Sequence, residues 1–203
     1  MRFNKGKLFV VSAPSGAGKT TLCNRLLGIY DTIGYSVSYT TRTPRHDETD
    51  TEDYYFVSEE EFQRMIDNDE FLEWAKVHNN YYGTSRLKVE EILGTGRDVL
   101  LDIDPKGARQ LRNRLDYGTY IFITAPSMED LRTRLINRRT ESDEIMKIRL
   151  DNAREEVQHI HEYDYIIVNR DVHKASNELQ AIYVAEHLKA DTVDSIHDIM
   201  EVD

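Results

Sequence analysis

The sequence predicts an α/β protein in which helices flank a parallel β-sheet and a small subdomain of mixed β-structure is inserted. Three observations carry that expectation. Short apolar, β-rich runs recur along the chain, each followed by a segment with helical periodicity and a start signal. The first of these runs leads into a glycine-rich loop. A stretch from about Val37 to Tyr82 breaks the alternation with closely spaced β-like runs.

The first run, "LFVVS" (Leu8–Ser12), reads as a buried strand. A helix carrying Leu22, Leu26 and Ile29 follows the loop. "DVLLDID" (Asp98–Asp104), "YIFITA" (Tyr120–Ala125) and "YDYIIVN" (Tyr163–Asn169) are the next strands of the same sheet. Pro105 suits the first turn of one intervening helix, and "SMED" (Ser127–Asp130) resembles a capping box for another. Within the insertion, "VSYTT", "YYFVS" and "FLEWAKV" are β-like. "SEEEFQRMI" between them is a helix capped by Ser58 with Glu61. The polar, arginine-rich stretch Arg134–Arg149 is a second candidate insertion. The tail after Ala190 has five acidic residues (Asp191, Asp194, Asp198, Glu201, Asp203) and no Lys or Arg, and a solvated terminal helix is its simplest reading.

A chain of 203 residues suits one compact domain, and 39% hydrophobic residues suffice for a packed core. The net charge of −11 argues against a protein built to grip nucleic acid or an anionic membrane surface. Phosphate binding then needs a local gathering of basic residues. The single Cys23 allows no internal disulfide, which fits a reducing compartment, and its place in a helix makes it a packing residue. The N-terminal apolar run is too short for a signal peptide, and no later stretch could span a bilayer. A cytoplasmic location is expected.

"VSAPSGAGKTT" (Val11–Thr21) matches the phosphate-loop pattern G-x-x-x-x-G-K-[ST] except at its first glycine, where Ala13 stands. Such a loop aims successive backbone N–H groups at phosphate oxygens from a helix N-terminus. Gly16 and Gly18 supply backbone freedom and close approach. Lys19 would bridge the β- and γ-phosphates, and Thr20 would offer its hydroxyl to Mg²⁺. Ala13 is tolerable if its φ is negative. Farther on, "SVSYTTRTPR" places Arg42 and Arg45 three residues apart across a proline, a rigid turn suited to phosphate capture. Tyr54 and Tyr82 can add phosphate hydrogen bonds. Taken alone, each of these acceptor-side features is unremarkable, and an exposed arginine pair is ordinarily just solvated surface.

Seven separated stretches, "SAPSGAGKT", "SYTTRTPR", "DYYFVS", "FLEWA", "NNYYGTS", "LDID" and "YDYIIVN", together resemble the guanylate kinases from about Leu8 to Leu188. Alanine commonly opens the loop in that family. The resemblance implies a P-loop fold with a core of residues 1–36, 83–130 and 155–190. It further implies a GMP-binding subdomain at about 37–82, a helical lid at about 131–154, and the acidic tail 191–203 beyond. It also implies the reaction ATP + GMP ⇌ ADP + GDP with Mg²⁺, extending to dGMP. ATP would lie along Ala13, Pro14, Ser15, Gly16, Ala17, Gly18, Lys19, Thr20 and Thr21, with Arg138 and Asn169 completing its site. Arg42, Arg45, Tyr54 and Tyr82 would hold the GMP phosphate, and Ser38, Glu73 and Thr84 would read guanine. Asp102 would stand near both Mg²⁺, through water, and the acceptor. Lys19, Arg42, Asp102, Arg138 and Arg149 would act on the transferring phosphoryl group, with Arg134 a weaker member of the lid set.

Glu73 has a physical argument of its own. Guanine presents two donors, N1–H and N2–H, that one carboxylate can accept in parallel, whereas adenine presents an acceptor at N1. Asp104, directly before Pro105, fits a helix cap as well as a ligand. The chain departs from the family pattern at Lys106 (usually Gln), at Asn137-Arg138-Arg139 (usually Gly-Arg-Gly), at Arg170 (usually acidic) and at Asp47 (usually Gly). Two other classes remain open on sequence alone: a non-catalytic binding module of the same fold, and a kinase acting on another phosphorylated acceptor. Oligomeric state is left open.

Overall fold

The computed structural model describes residues 6–46, 48–52, 54–77, 79–137 and 143–189. In chain order the elements are β1 (Leu8–Ser12), α1 (Lys19–Ile29), β2 (Ile33–Tyr35), β3 (Tyr39–Thr40), β4 (Tyr55–Phe56), α2 (Glu59–Asp67), β5 (Phe71–Val77) and β6 (Asn80–Ser85). There follow α3 (Arg86–Gly94), β7 (Asp98–Asp102), α4 (Pro105–Arg114), β8 (Thr119–Thr124), α5 (Met128–Asn137), α6 (Asp143–Val157), β9 (Tyr165–Val168) and α7 (Val172–His187).

Five strands form a parallel sheet in the order β2-β7-β1-β8-β9. All five residues of β1 are buried, because helices cover both faces. Phe9 and Val11 point into one core with Leu22, Cys23 and Leu26 of α1 and with Leu179 and Tyr183 of α7. Leu8 and Val10 point into the other, with Val89 and Leu93 of α3 and Leu111 of α4. Burial pushes the Cys23 thiol up to about 12, so it is a packing residue and not a nucleophile. The chain leaves β1 toward β2 on one side and leaves β7 across β1 to β8 on the other. The carboxyl ends of β1 and β7 therefore border the crevice where open α/β sheets hold ligands. In register, Val11 lies opposite Asp102.

The expected mixed subdomain is a second sheet, ordered β4-β3-β6-β5, with β3 and β4 parallel and the other pairs antiparallel. "FLEWAKV" is β5 from end to end, but "VSYTT" and "YYFVS" contract to two-residue strands. Sequence periodicity misses β6 because glycine and asparagine interrupt its apolar alternation. Gly83 is there for room: a Cβ at this position would come within 3.0 Å of the Phe71 and Phe62 rings. β6 runs on to Ser85, three residues past 82. Ser58 caps α2 by accepting from the Glu61 N–H, and Pro105 occupies the first turn of α4, as their sequence signals predict. "DVLLDID" ends as a strand at Asp102, not Asp104.

α5 and α6 lie at either end of the arginine-rich stretch, and residues 138–142 between them fall outside the described residues, as does the acidic tail. No helix among the described residues is long and apolar enough to cross a membrane.

Candidate active site

The loop after β1 takes the conformation its glycines permit. Gly16 and Gly18 have φ of +88° and +97°, the left-handed region closed to most side chains, while Ala13 is not among the positive-φ residues. Ala13 packs into the core at the end of the strand. Gly18 is the N-cap of α1, and among the described residues no side chain caps that helix or places an acid in its first turn. By contrast α2, α3, α4 and α7 are capped by Ser58, Ser85, Asp104 and Asp171. The donors at the start of α1 are thus left for an anion.

Around the loop stand several side chains from distant segments. The Lys19 ammonium pairs with the Asp102 carboxylate and donates to the Ile103 carbonyl at 3.0 Å. The Thr20 hydroxyl reaches toward the other Asp102 oxygen at 3.5 Å. Arg149 of α6 donates to the Ser15 hydroxyl at 2.8 Å, bringing that helix onto the loop. Asn169, past the end of β9, donates to the Ala17 carbonyl at 2.8 Å, and Arg134 of α5 donates to the Asn169 carbonyl at 2.7 Å. A side chain at position 18 would collide with the Asn169 amide. Gly16, Gly18, Thr21, Arg134, Asn169 and Arg170 line a cleft of about 350 Å³ beside the loop. Arg138 lies outside the described residues. Asp104 does what its proline neighbour suggested: its carboxylate accepts from the Gly107 N–H at 2.7 Å and caps α4.

Arg42, Tyr54 and Tyr82, from three neighbouring segments of the second sheet, gather into one cluster. The Arg42 guanidinium carbon is 5.4 Å from the Tyr54 ring centroid, and the Tyr54 and Tyr82 rings meet edge to face at 6.0 Å. Burial and the neighbouring Tyr82 raise the Tyr54 phenol above its ordinary value, so it stays a hydrogen-bond donor. Sequence inspection gave no role to Glu48, which occupies the centre of this cluster. One Arg42 nitrogen donates to both of its oxygens, at 2.7 and 2.9 Å, and the Arg45 backbone N–H donates at 2.8 Å. Arg42 accordingly holds the Glu48 carboxyl below the usual carboxylate range. The Arg45 side chain is exposed. An anionic carboxylate three residues after Arg45 in "TRTPRHDE" was the available signal.

The third group is buried. Glu73, in β5, is 5% exposed and faces Thr84 across the β5–β6 ladder. The Thr84 hydroxyl donates to its Oε1 at 2.5 Å. Burial pushes the Glu73 carboxyl from 4.5 up to about 7; the Thr84 bond opposes that shift, Asp104 reinforces it and Lys19 weakly opposes it. The influence of Asp104 and Lys19 puts this carboxylate within electrostatic reach of the loop. Ser38, half-buried, holds the neighbouring strands together through its carbonyl, which accepts from Tyr55 N–H at 2.9 Å. A Cβ at Gly107 would run into the Glu73 carboxylate, so this glycine of "DIDPKGA" keeps open the space Glu73 uses.

The arrangement offers a phosphate cradle with a lysine and a hydroxyl–carboxylate pair, a guanidinium–tyrosine cluster, and a buried carboxylate able to accept two parallel N–H bonds. Comparison with known proteins agrees with it. The guanylate kinase family profile matches residues 5–186. The chain is 50% identical over 200 residues to the guanylate kinase of Geobacter sulfurreducens, covering 98% of both chains. It is 41% identical to that of Halalkalibacterium halodurans over the full length of both. The crystal structure of guanylate kinase from Anaplasma phagocytophilum superposes with a TM-score of 0.77 at 35% identity, covering 98% of this chain and 95% of that one. A profile match over most of the chain, with relatives this similar from end to end, places it: the chain belongs to the guanylate kinase family.

Proposed function

We propose that this chain transfers the γ-phosphoryl group of ATP to the phosphate of GMP, and of dGMP, in a single in-line step. The observation that carries the guanine assignment is Glu73, a buried carboxylate already accepting from Thr84 and able to take guanine N1–H and N2–H. Residues proposed for the acceptor read its base (Ser38, Glu73, Thr84), hold its phosphate (Arg42, Arg45, Tyr54, Tyr82) or stand beside it (Asp102). The second sheet, near residues 37–82, is the acceptor subdomain, and α5 with α6, near 131–154, forms the lid.

The acceptor phosphate is an anion at neutral pH, so no general base has to create the nucleophile. The task is to bring two anions together and stabilise charge on the transferring group. Loop N–H groups from Ala13 to Thr21 and Lys19 hold the donor phosphates, and Arg149 approaches them from the lid through Ser15. Arg138, on the family resemblance, would act on the transferring group together with Arg149. Asn169 and Arg134 brace the loop beside the cleft proposed for adenine. Arg42 and Arg45 offset acceptor charge once the phosphate displaces or joins Glu48. Closure of lid and subdomain keeps water from the reacting group.

The Thr20 hydroxyl and Asp102 carboxylate form a hard-oxygen donor set that suits Mg²⁺ held mainly by phosphates and water. When bound there, Mg²⁺ neutralises donor phosphate charge. The single reduced cysteine fits a cytoplasmic setting.

The test is ADP formation from ATP and Mg²⁺ with GMP, dGMP, AMP, CMP and UMP supplied separately. Turnover confined to GMP and dGMP is expected. Turnover with another base overturns the role of Glu73, and a folded protein silent with all five is not a kinase of these acceptors.

A pH dependence follows from the same carboxyl. Guanine needs two acceptors, which only the ionised form supplies. KM for GMP should therefore rise as pH falls below about 7, approaching about tenfold per unit. Ionisation of the GMP phosphate near about 6 adds to this at the lower end. Steady-state KM at pH 8, 7 and 6 checks it; the Glu73→Gln variant should keep only the phosphate part. A flat wild-type profile contradicts the assignment.

A further inference from the structure

Helix α4 belongs to the main sheet, yet one stripe of its residues is devoted to β5 of the second sheet. Among the described residues β5 is an edge strand, so no further strand pairs with its outer backbone groups. Gln110 fills that vacancy with a side-chain amide. Its Oε1 accepts from the Trp74 N–H at 3.2 Å and its Nε2 donates to the Trp74 carbonyl at 2.8 Å, reproducing the two bonds a neighbouring strand would make. One turn later, Arg114 donates to the Phe71 carbonyl at 2.7 Å and to Asp69 at 3.1 Å. One turn earlier, Gly107 leaves the space into which the Glu73 carboxylate projects.

The spacing of those backbone groups is informative. In a regular strand, groups facing one edge recur every second residue, so Phe71 and Trp74 should face opposite edges. The β5–β6 register shifts between Phe71 and Glu73, and this irregularity turns both outward. Glu73 therefore lies inside a locally irregular segment whose two ends are gripped by α4. Across the β5–β6 ladder the Thr84 hydroxyl holds one carboxylate oxygen of Glu73, and the α4 contacts hold the backbone from which that side chain projects.

We propose that Gln110 is a positioning residue for base recognition, holding the bulged segment of β5 so that the Glu73 carboxylate accepts both guanine donors at once. This rests on Glu73 being the guanine reader. A carboxylate displaced by part of an ångström still meets N1–H but loses the geometry for N2–H. The signature of Gln110 is therefore discrimination between GMP and IMP, which lacks the 2-amino group, and not turnover in general.

The experiment compares kcat/KM for GMP and for IMP, with KM for ATP and thermal midpoint, in wild type, Gln110→Met, Gln110→Glu and Glu73→Gln. Methionine keeps the size and loses both bonds; glutamate keeps the acceptor for the Trp74 N–H, and provides a second variant should the first not fold. For Gln110→Met, the GMP-to-IMP preference should fall about tenfold, about 1.4 kcal/mol of discrimination, with ATP KM unchanged. Gln110→Glu should fall less. Parallel losses for GMP and IMP, or no loss for either, overturn the proposal and leave Gln110 a structural residue. The Glu73→Gln arm separates the two levels. If it erases the preference while Gln110→Met preserves it, only the role of Gln110 fails; if it too preserves the preference, both assignments fail.

Discussion

Lys19→Ala should lower kcat at least about 10³-fold while leaving a folded protein, because the lost cation acts on charge that develops during transfer. In the resting structure the ammonium is held by Asp102 and the Ile103 carbonyl, both at the carboxyl end of β7. That anchorage aims it across the loop before any nucleotide arrives. The ion pair is partly shielded, with side-chain exposures of 20% and 13%, so its loss should cost about 1–2 kcal/mol, between exposed and fully buried pairs. The thermal midpoint should fall by only a few degrees, about 2–4 °C per kcal/mol for a chain of this size. Single-turnover rates and a thermal melt on the same preparation check both halves. A variant with near-normal kcat removes Lys19 from the chemistry, and one that fails to fold makes it an architectural residue.

Glu73→Gln should reduce kcat/KM for GMP by about 10³-fold and at the same time stabilise the free protein. The activity loss follows from replacing one of two acceptors with an N–H donor that faces a guanine donor across a dry contact. The stability gain follows from the same burial. The folded carboxyl, pushed to about 7 from 4.5, keeps its proton over a range in which the unfolded chain has released it. Between those values the folded state binds more protons, so the Glu73 contribution declines as pH rises, by about 1.4 kcal/mol per unit. The amide does not titrate. The variant's advantage over wild type should therefore be small near pH 5, grow to pH 7, and reach about 1–3 kcal/mol at pH 8. Denaturant midpoints for both proteins at those pH values measure it. An advantage that is absent or shrinks with pH means that Glu73 is not a buried carboxylate held near neutrality.

Much of the site was legible because its signals are local. The loop's glycines, the apolar strand before them and the helix after them announce one backbone path, and that path forms. Ser58, Ser127 and Pro105 mark helix starts because capping involves residues within one turn. Asp104 was readable as a cap for the same reason. The acceptor side was less legible. Arg42 and Arg45 stood out as a pair, but Glu48, which holds Arg42, looked like one more acidic residue in a chain with 37 of them. β6 was hidden by Gly83, whose reason is two phenyl rings contributed by β5 and α2.

The amino-acid sequence by itself determined the alternating α/β order, the backbone path of the glycine loop and the helix start signals, since each depends on residues a few positions apart. Only the tertiary structure decided that Asp102 serves Lys19 while Asp104 serves a helix, and that Asn169 and Arg134 brace a loop some 120 to 150 residues earlier. It also decided that Glu73 is buried and held near neutrality. Register and desolvation are sums over neighbours from the whole chain: Thr84 bonds the Glu73 carboxylate from the next strand, Gly107 leaves the space it enters, and no short window around position 73 contains Gly107.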